Sequence, residues 1–427
     1  MEFVPILLMF VFFAMGVPVA IAIAAAALTF FLFAEGVPIQ IFAQKLVSST
    51  DSFPLLAVPF FIFAGTIMNY AGITRRLLNF ADGMAGHLVG GLAQVNVILA
   101  TLMGGLSASA NADAAMQAKM LGTEMVKRGF APGFAAAVTA CAAVITPIIP
   151  PGIGLIIYGF LADVSVGKLF IGGIVPGLLL CGGLMIAIHV VSRKRGYKPM
   201  RERMVGPGEL GKRFVAALGA LSIAAFILVG IRYGIFTPTE AGAMTVVYAS
   251  LVGFFVHREL KLSDFPAIIT ETVVATSAVM LIICAASTFG FYMTWERIPA
   301  QAAQFLIKVT SDPNVLLLLI NLLLIVAGML IEGTAALILL TPIFVPVITK
   351  LGIDPIHFGL IMIVNLTIGG VTPPVGTLMF VSCSILRVSI QRFTVEALPL
   401  LLSMFAVLAL ITYVPELVLW LPSRMMD

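Results

Sequence analysis

Between Asp312 and Lys350 the chain carries a single charge, Glu332. Uncharged apolar runs also fill Phe3–Ala34, Val138–Phe160, Leu178–Val191 and Ala397–Leu410. A hydrocarbon core of ~30 Å is crossed by about 20 apolar residues in a helix, so these runs have the length of spans or half-spans. Composition agrees: the chain of 427 residues is 61% hydrophobic and 10% charged, against roughly 25% charged in a soluble domain. The fold class expected is an all-α polytopic membrane protein.

Several functions are disfavoured. Cys141, Cys181, Cys284 and Cys383 stand singly without CxxC spacing, and His87, His189, His257 and His357 are equally scattered, so neither a disulfide framework nor a metal cluster is expected. No GxxxxGK[ST] segment is present to hold a nucleotide. Glu2 is the one early charge, and a cleavable signal would need a positive start. The longest polar stretch, 192–213, is too short to bury a core, and nucleic-acid binding has no other support.

That basic stretch divides the chain into halves that repeat one another. The first unit is 1–192, the linker 193–213 and the second unit 214–427. Gly16-Val17-Pro18 is answered by Gly234 to Pro238, and Thr146-Pro147 by Thr372-Pro373, 226 positions later. In the first half, spans are expected at 3–15, 18–34, 54–70, a broken 131–162 and 168–191, with a re-entrant hairpin at 88–127. In the second they fall at 214–231, 238–256, 270–292, a broken 356–386 and 396–420, with a hairpin at 315–350. Five spans per half place the second half upside down, the inverted repeat of many secondary transporters.

Charge sets the orientation. With the start of the chain outside, the inner loops hold Arg75, Arg76, Lys119, Lys127, Arg128, the basic linker, Arg258, Lys261, Arg387 and Arg392. The positive-inside rule therefore favours both termini outside.

The two Thr-Pro segments break a helix at membrane depth. Proline has no N–H for the ladder, and freed carbonyls survive there only against protein or a water-filled cavity. One alternative is a plain kink. Doubling in both halves favours a binding site, with oxygens for a cation and half-helix N-termini for an anion. The hairpin tips are the natural partners: Ser107, Ser109, Asn111 and Asp113 crowd one, and Glu332, Gly333 and Thr334 the other. An isolated intramembrane acid is functional by default; the alternative is a carboxyl that only fixes the hairpin. Asp113 can equally serve as a helix N-terminal charge, and Glu240 as a capping residue with Thr237.

In order along the chain, "GGLSASANADAAM", "ITPIIPPG", "FTPTEAGA", "EGTAALILLTPI" and "GGVTPPVGT" resemble the large membrane subunit of tripartite ATP-independent periplasmic (TRAP) transporters. The similarity runs from about residue 3 to 420. It implies an elevator-type ion transporter fold in a bacterial inner membrane. The implied partners are a small four-helix membrane subunit, a periplasmic substrate-binding protein and an organic acid of dicarboxylate, sialic acid or keto acid type. Na⁺ is the implied coupling ion, with no cofactor. A first Na⁺ site would use Ser107 and Asn111 with oxygens around Thr146, Ile149 and Pro151. A second would use Gly328 or Gly333 with Gly369 and Thr372, and substrate would lie near Ser109, Ser165 and Glu332. Glu332 in place of an aspartate, and Gly154 in place of a serine, depart from the sialic-acid branch and argue against that substrate.

Other classes remain to be weighed. A stand-alone Na⁺/carboxylate symporter would work without the small subunit or the binding protein. A channel could also use broken half-helices, but without coupling to Na⁺. An intramembrane enzyme would need a Ser/His pair, paired aspartates or HExxH at membrane depth, and none is present.

Overall fold

The computed structural model describes residues 3–104, 109–310 and 312–426. In the first half, α1 (Val4–Ala14), α2 (Val19–Phe33), α3 (Gln40–Ser48) and α4 (Ala57–Tyr70) lead to α5 (Ile73–Ala85). A hairpin follows from α6 (Gly91–Leu102) and α7 (Ala110–Gln117), the latter extended by a π turn (Ala118–Gly122) and α8 (Thr123–Lys127). Next come α9 (Pro132–Ala143), α10 (Ile153–Leu161) and α11 (Val166–Arg195). The second half opens with α12 (Pro207–Arg232), α13 (Pro238–Leu251), α14 (Phe265–Trp295) and α15 (Ile298–Val309). Its hairpin is α16 (Pro313–Leu330) with α17 (Gly333–Lys350). It is followed by α18 (Pro355–Gly369), α19 (Thr377–Leu386), α20 (Ile390–Tyr413) and α21 (Glu416–Met426).

The sequence writes many of these starts. Pro132, Pro207, Pro238, Pro313 and Pro355 sit in first turns, where a missing N–H removes nothing from the ladder. Thr237 and Glu240 form the expected capping box: the Thr237 N–H donates to Glu240 Oε2 at 2.8 Å, and the Glu240 N–H returns to Thr237 Oγ1 at 3.3 Å. Asp354 accepts from the Ile356 N–H at 2.7 Å to start α18.

Among the described residues, eight helical stretches are long and apolar enough to cross a membrane. Helix pairs α6–α8 and α16–α17 flank the tips at 103–109 and 331–332, and non-helical segments separate α9 from α10 and α18 from α19. Three readings need correction. The expected span at 3–15 is an 11-residue helix, roughly 16 Å long at 1.5 Å per residue, too short to cross alone. The expected final span at 396–420 is two helices, because Pro415 forces Val414 out of helical geometry (φ −123°, ψ 79°). Amphipathic helices α3, α5 and α15 occupy segments read as connections. In α5, Ile73, Leu77, Ala81 and Ala85 are buried at four-residue spacing, while Arg75 and Asn79 face outward.

The halves interdigitate. First-half α2 packs on second-half α14, and second-half α13 on first-half α4. Likewise α10 meets α17 and α19 meets α7, while α11 meets α18 and α20 meets α9. The structural register differs from the one expected. Pro150-Pro151 and Pro373-Pro374, each joined by a cis bond, are 223 positions apart, as are Pro132 and Pro355, which open α9 and α18. In this register Thr146 matches Gly369 and Ile149 matches Thr372, so the two Thr-Pro pairs are not equivalents. Helix α9 is 12 residues long and α18 is 15, so the first break opens three residues earlier.

Buried polar contacts hold the second half together. The Asn365 Nδ2 donates to Asn321 Oδ1 at 2.6 Å and to the Asn321 carbonyl at 3.0 Å. Asn321 Nδ2 in turn donates to Thr412 Oγ1 at 3.2 Å. This chain links α16, α18 and α20, where apolar contact alone drives little association within lipid.

Candidate functional site

A cavity of about 570 Å³ lies where the hairpin tips and the helix breaks meet α2 and α14. Four helices begin at its wall: α7 through Ala110 and Asn111, α10 through Ile153 and Gly154, α17 through Gly333 and Thr334, and α19 through Thr377 and Leu378. A helix start leaves N–H groups without intrahelical partners and carries roughly half a positive charge. Two of these starts have side-chain caps. Ser109 Oγ accepts from the Ala112 N–H at 3.4 Å, and Glu332 Oε2 accepts from the Ala335 N–H at 3.0 Å. The other two follow Gly152 and Gly376 and have no side-chain cap. At α19 the Leu378 and Met379 N–H groups donate to the Gly370 carbonyl at 2.9 and 3.3 Å, and at α10 the Leu155 N–H donates to the Gly152 carbonyl at 3.1 Å, so backbone carbonyls answer part of both starts.

Facing these starts is an apolar wall from α14, including Ala275, Ala278 and Leu281. No Lys, Arg or His is among the described lining residues, and Glu332 is the one charged side chain there. Its Oε1 also accepts from Thr334 Oγ1 at 3.0 Å, so the carboxylate is part of the helix start as well as of the wall. The cavity thus combines backbone positive ends, a few hydroxyls and one carboxylate. It can hold the anionic end of a small molecule without a basic side chain.

Oxygen donors for a hard cation stand beside it. Asn111 Oδ1 and the Thr146 hydroxyl are buried and have no hydrogen-bond partner among the described residues, and Thr146 is 1% exposed. Such orphaned oxygens are costly unless something is bound.

A family model described as the tripartite ATP-independent periplasmic transporter, DctM component, matches residues 6–417. The chain belongs to this TRAP transporter family. The isethionate TRAP transporter permease protein DctMQ of Oleidesulfovibrio alaskensis is 41% identical over 411 residues, covering 95% of this chain and 64% of that protein. The sialic acid TRAP transporter large permease protein SiaM of Vibrio cholerae is 39% identical, covering 96% and 95%. The C4-dicarboxylate TRAP transporter large permease protein DctM of Pseudomonas aeruginosa is 38% identical, covering 93% and 92%. Among solved structures, the YdaH transporter of Alcanivorax borkumensis superposes with a TM-score of 0.64 over 99% of both chains at 16% identity, a likeness of fold.

Within this DctM component the expected site residues divide by position. Ser109, Asn111, Glu332 and Gly333 line the cavity. Gly328 and Gly369 touch backbone to backbone, since a Cβ on Gly369 would fall 2.7 Å from Gly328 Cα. Thr372 turns its hydroxyl onto the Ile368 carbonyl at 2.8 Å. Ile149 is a wedge, with its side chain against Gly104 of the first hairpin and Gly177 of α11. Pro151 is buried in the first break beside it. Ser107 lies outside the described residues. Ser165 does not join the others: it is exposed, caps α11 by accepting from the Lys168 N–H at 3.3 Å, and is not among the cavity residues.

Thr334 lines the wall with the rest of its hairpin tip, whereas Thr367 and Thr377 were not expected there but are there. Thr377 was findable, because it follows the Gly376 that restarts the helix after Pro373-Pro374. Thr367 carries no local signal, since only the packing of α18 brings it to the cavity.

Proposed function

We propose that this DctM component is the large permease of a Na⁺-coupled importer for an organic acid, working in a bacterial inner membrane. The observation that carries the reading is the convergence of four helix starts and two hairpin tips on one cavity lined by a single charged side chain. Such starts favour a carboxylate or sulfonate, and the relatives are named for isethionate, sialic acid and C4-dicarboxylates. Neutral oxygens near Asn111 and Thr146 on one side, and near Gly333, Gly369 and Thr372 on the other, suit Na⁺. Ser109 and Glu332 contact the substrate between them.

The two halves form inverted repeats with both termini outside, as the basic inner loops favour. Transport follows an elevator motion in which the hairpins and broken helices move as one body past α2, α4, α13 and α14. The substrate arrives from a periplasmic binding protein, and a small four-helix subunit completes the membrane complex.

Uptake into proteoliposomes tests this. The expected result is accumulation that needs both an inward Na⁺ gradient and the loaded binding protein. Equal uptake with a proton gradient and no Na⁺ would refute the coupling. Saturable uptake at the same low substrate concentration without the binding protein would favour a stand-alone symporter.

A further inference from the structure

Below the first hairpin tip lies buried polarity that the cavity does not use. Helices α7 and α19 run side by side in the same direction. Both start at the cavity, and a Cβ on Gly122, at the end of the π turn, would fall 2.9 Å from the Leu386 side chain at the end of α19. One turn before Leu386 on the same face of α19 is Ser382. One wide π turn before Gly122 on the first hairpin is Gln117, and Asp113 is one turn earlier again. The parallel register therefore sets Asp113, Gln117 and Ser382 along one seam, with α9 packed against both helices.

These residues are sealed from solvent. Gln117 and Ser382 are 0% exposed and Asp113 is 2% exposed. Among the described residues, neither the Oε1 nor the Nε2 of Gln117 has a partner, and the Ser382 hydroxyl has none. An amide buried with both polar atoms unanswered is a marked exception in folded proteins. Hydrophobic packing would be served better by leucine, which has nearly the same reach.

We propose that Asp113, Gln117 and Ser382 form a Na⁺ site at the α7–α19 seam, distinct from the oxygens at the cavity wall. A carboxylate, an amide oxygen and a hydroxyl are hard donors that select an alkali or alkaline-earth ion over soft-ligand metals. The single carboxylate balances a monovalent ion and leaves a divalent one with excess buried charge. Because α7 belongs to the first hairpin and α19 to the second broken helix, an ion here ties the two halves together beneath the substrate.

The test reads binding directly. The full chain as purified from membranes is melted in increasing NaCl, with KCl holding ionic strength constant, for wild type, Gln117→Leu and Ser382→Ala. Each substitution is expected to raise the Na⁺ concentration for half-maximal stabilisation about tenfold. In Na⁺-free buffer Gln117→Leu should melt no lower than wild type, since an unanswered amide has been removed. A Na⁺ response identical to wild type in both variants would overturn this site while leaving the coupling proposed above intact. Equal stabilisation of wild type by Na⁺ and K⁺ would overturn both. Should Gln117→Leu fail to fold, Ser382→Ala decides alone, since deleting one small hydroxyl leaves the packing of α19 in place.

Discussion

Ser109 and Glu332 hold the same station in the two hairpins, each capping the helix that leaves the tip and each reaching the wall of one cavity. They are 223 positions apart, in register with the paired prolines. One cap is neutral and the other charged, so the cavity is electrically lopsided. Glu332→Ser separates the two duties of the carboxylate, because serine is an equally good N-cap and carries no charge. If the charge serves transport, the variant should reach the membrane folded, melt within about 1 kcal/mol of wild type, and lose most Na⁺-driven uptake. Uptake close to wild type, normalised to folded protein, would leave Glu332 a cap alone.

The contact between Gly328 and Gly369 sets how closely α16 approaches α18. A Cβ on Gly369 would stand 2.7 Å from Gly328 Cα and 3.0 Å from the Ile325 carbonyl oxygen. Both neighbours are backbone and cannot rotate away. Gly369→Ala should therefore destabilise the protein by roughly 1–3 kcal/mol, the usual range for overpacking. Gly290→Ala on α14 is the matched control, since nothing lies within 4 Å of its Cβ position. Thermal melting of the two variants side by side gives the comparison, and equal melting would mean the close approach is dispensable.

Much of this architecture was legible because lipid permits so few solutions. Uncharged runs had to be helices, and Thr-Pro or Pro-Pro segments inside them had to be breaks lined by protein. What identity matching missed was register. Thr146-Pro147 and Thr372-Pro373 look alike, yet Pro150-Pro151 is the true counterpart of Pro373-Pro374, because the helix starts at Pro132 and Pro355 fix the spacing. The α5 helix was missed for a different reason: its signal is the four-residue rhythm of Ile73, Leu77, Ala81 and Ala85 rather than apolar length. Ser165 was expected near the substrate from resemblance alone, and its place as the cap of α11 keeps it at the surface. No sequence pattern pairs Gln117 with Ser382, because only the packing of α7 on α19 brings them level.

At the corner between α4 and α5, Glu259 receives Arg76 at 2.8 Å and Arg75 at 3.0 Å. Burial alone would push its carboxyl up, but the two guanidinium groups outweigh it and hold the pKa below the ordinary 4.5. A carboxyl lowered in the folded state contributes stability above its unfolded pKa and loses it as pH falls through the folded value. Wild type should therefore melt above Glu259→Gln at neutral pH, and the gap should close as pH drops below about 4.3. Melting curves of both proteins across that range provide the check. A gap independent of pH would show that the ion pairs are not its source.

The basic linker is docked rather than free, and this gives the last prediction. Tyr197 packs its ring 4.4 Å from that of Phe130 and 5.7 Å from that of Phe134, and its hydroxyl accepts from the Ala131 N–H at 3.1 Å. The Met200 N–H donates to the Gly86 carbonyl at 2.9 Å. Arg201 and Arg213 share Asp82 at 2.6 and 2.7 Å, and Arg195 meets Glu396 at 2.5 Å. The linker therefore straps the end of α11 to α9, α20 and α5. Trypsin cuts after Lys and Arg except before proline, so Lys198 before Pro199 is spared and the strap offers Arg193, Lys194, Arg195, Arg201 and Arg203. Cleavage of a docked segment requires local opening, whose cost falls when a packed aromatic is removed. Tyr197→Ala should thus accelerate limited trypsinolysis within 193–203 at least about tenfold, the factor for 1.4 kcal/mol of opening free energy, while global melting changes little. Tyr197→Phe, which keeps the ring and drops the hydroxyl, should fall between the two. If all three proteins are cut at the same rate, the strap opens freely and its contacts contribute nothing to holding the end of α11.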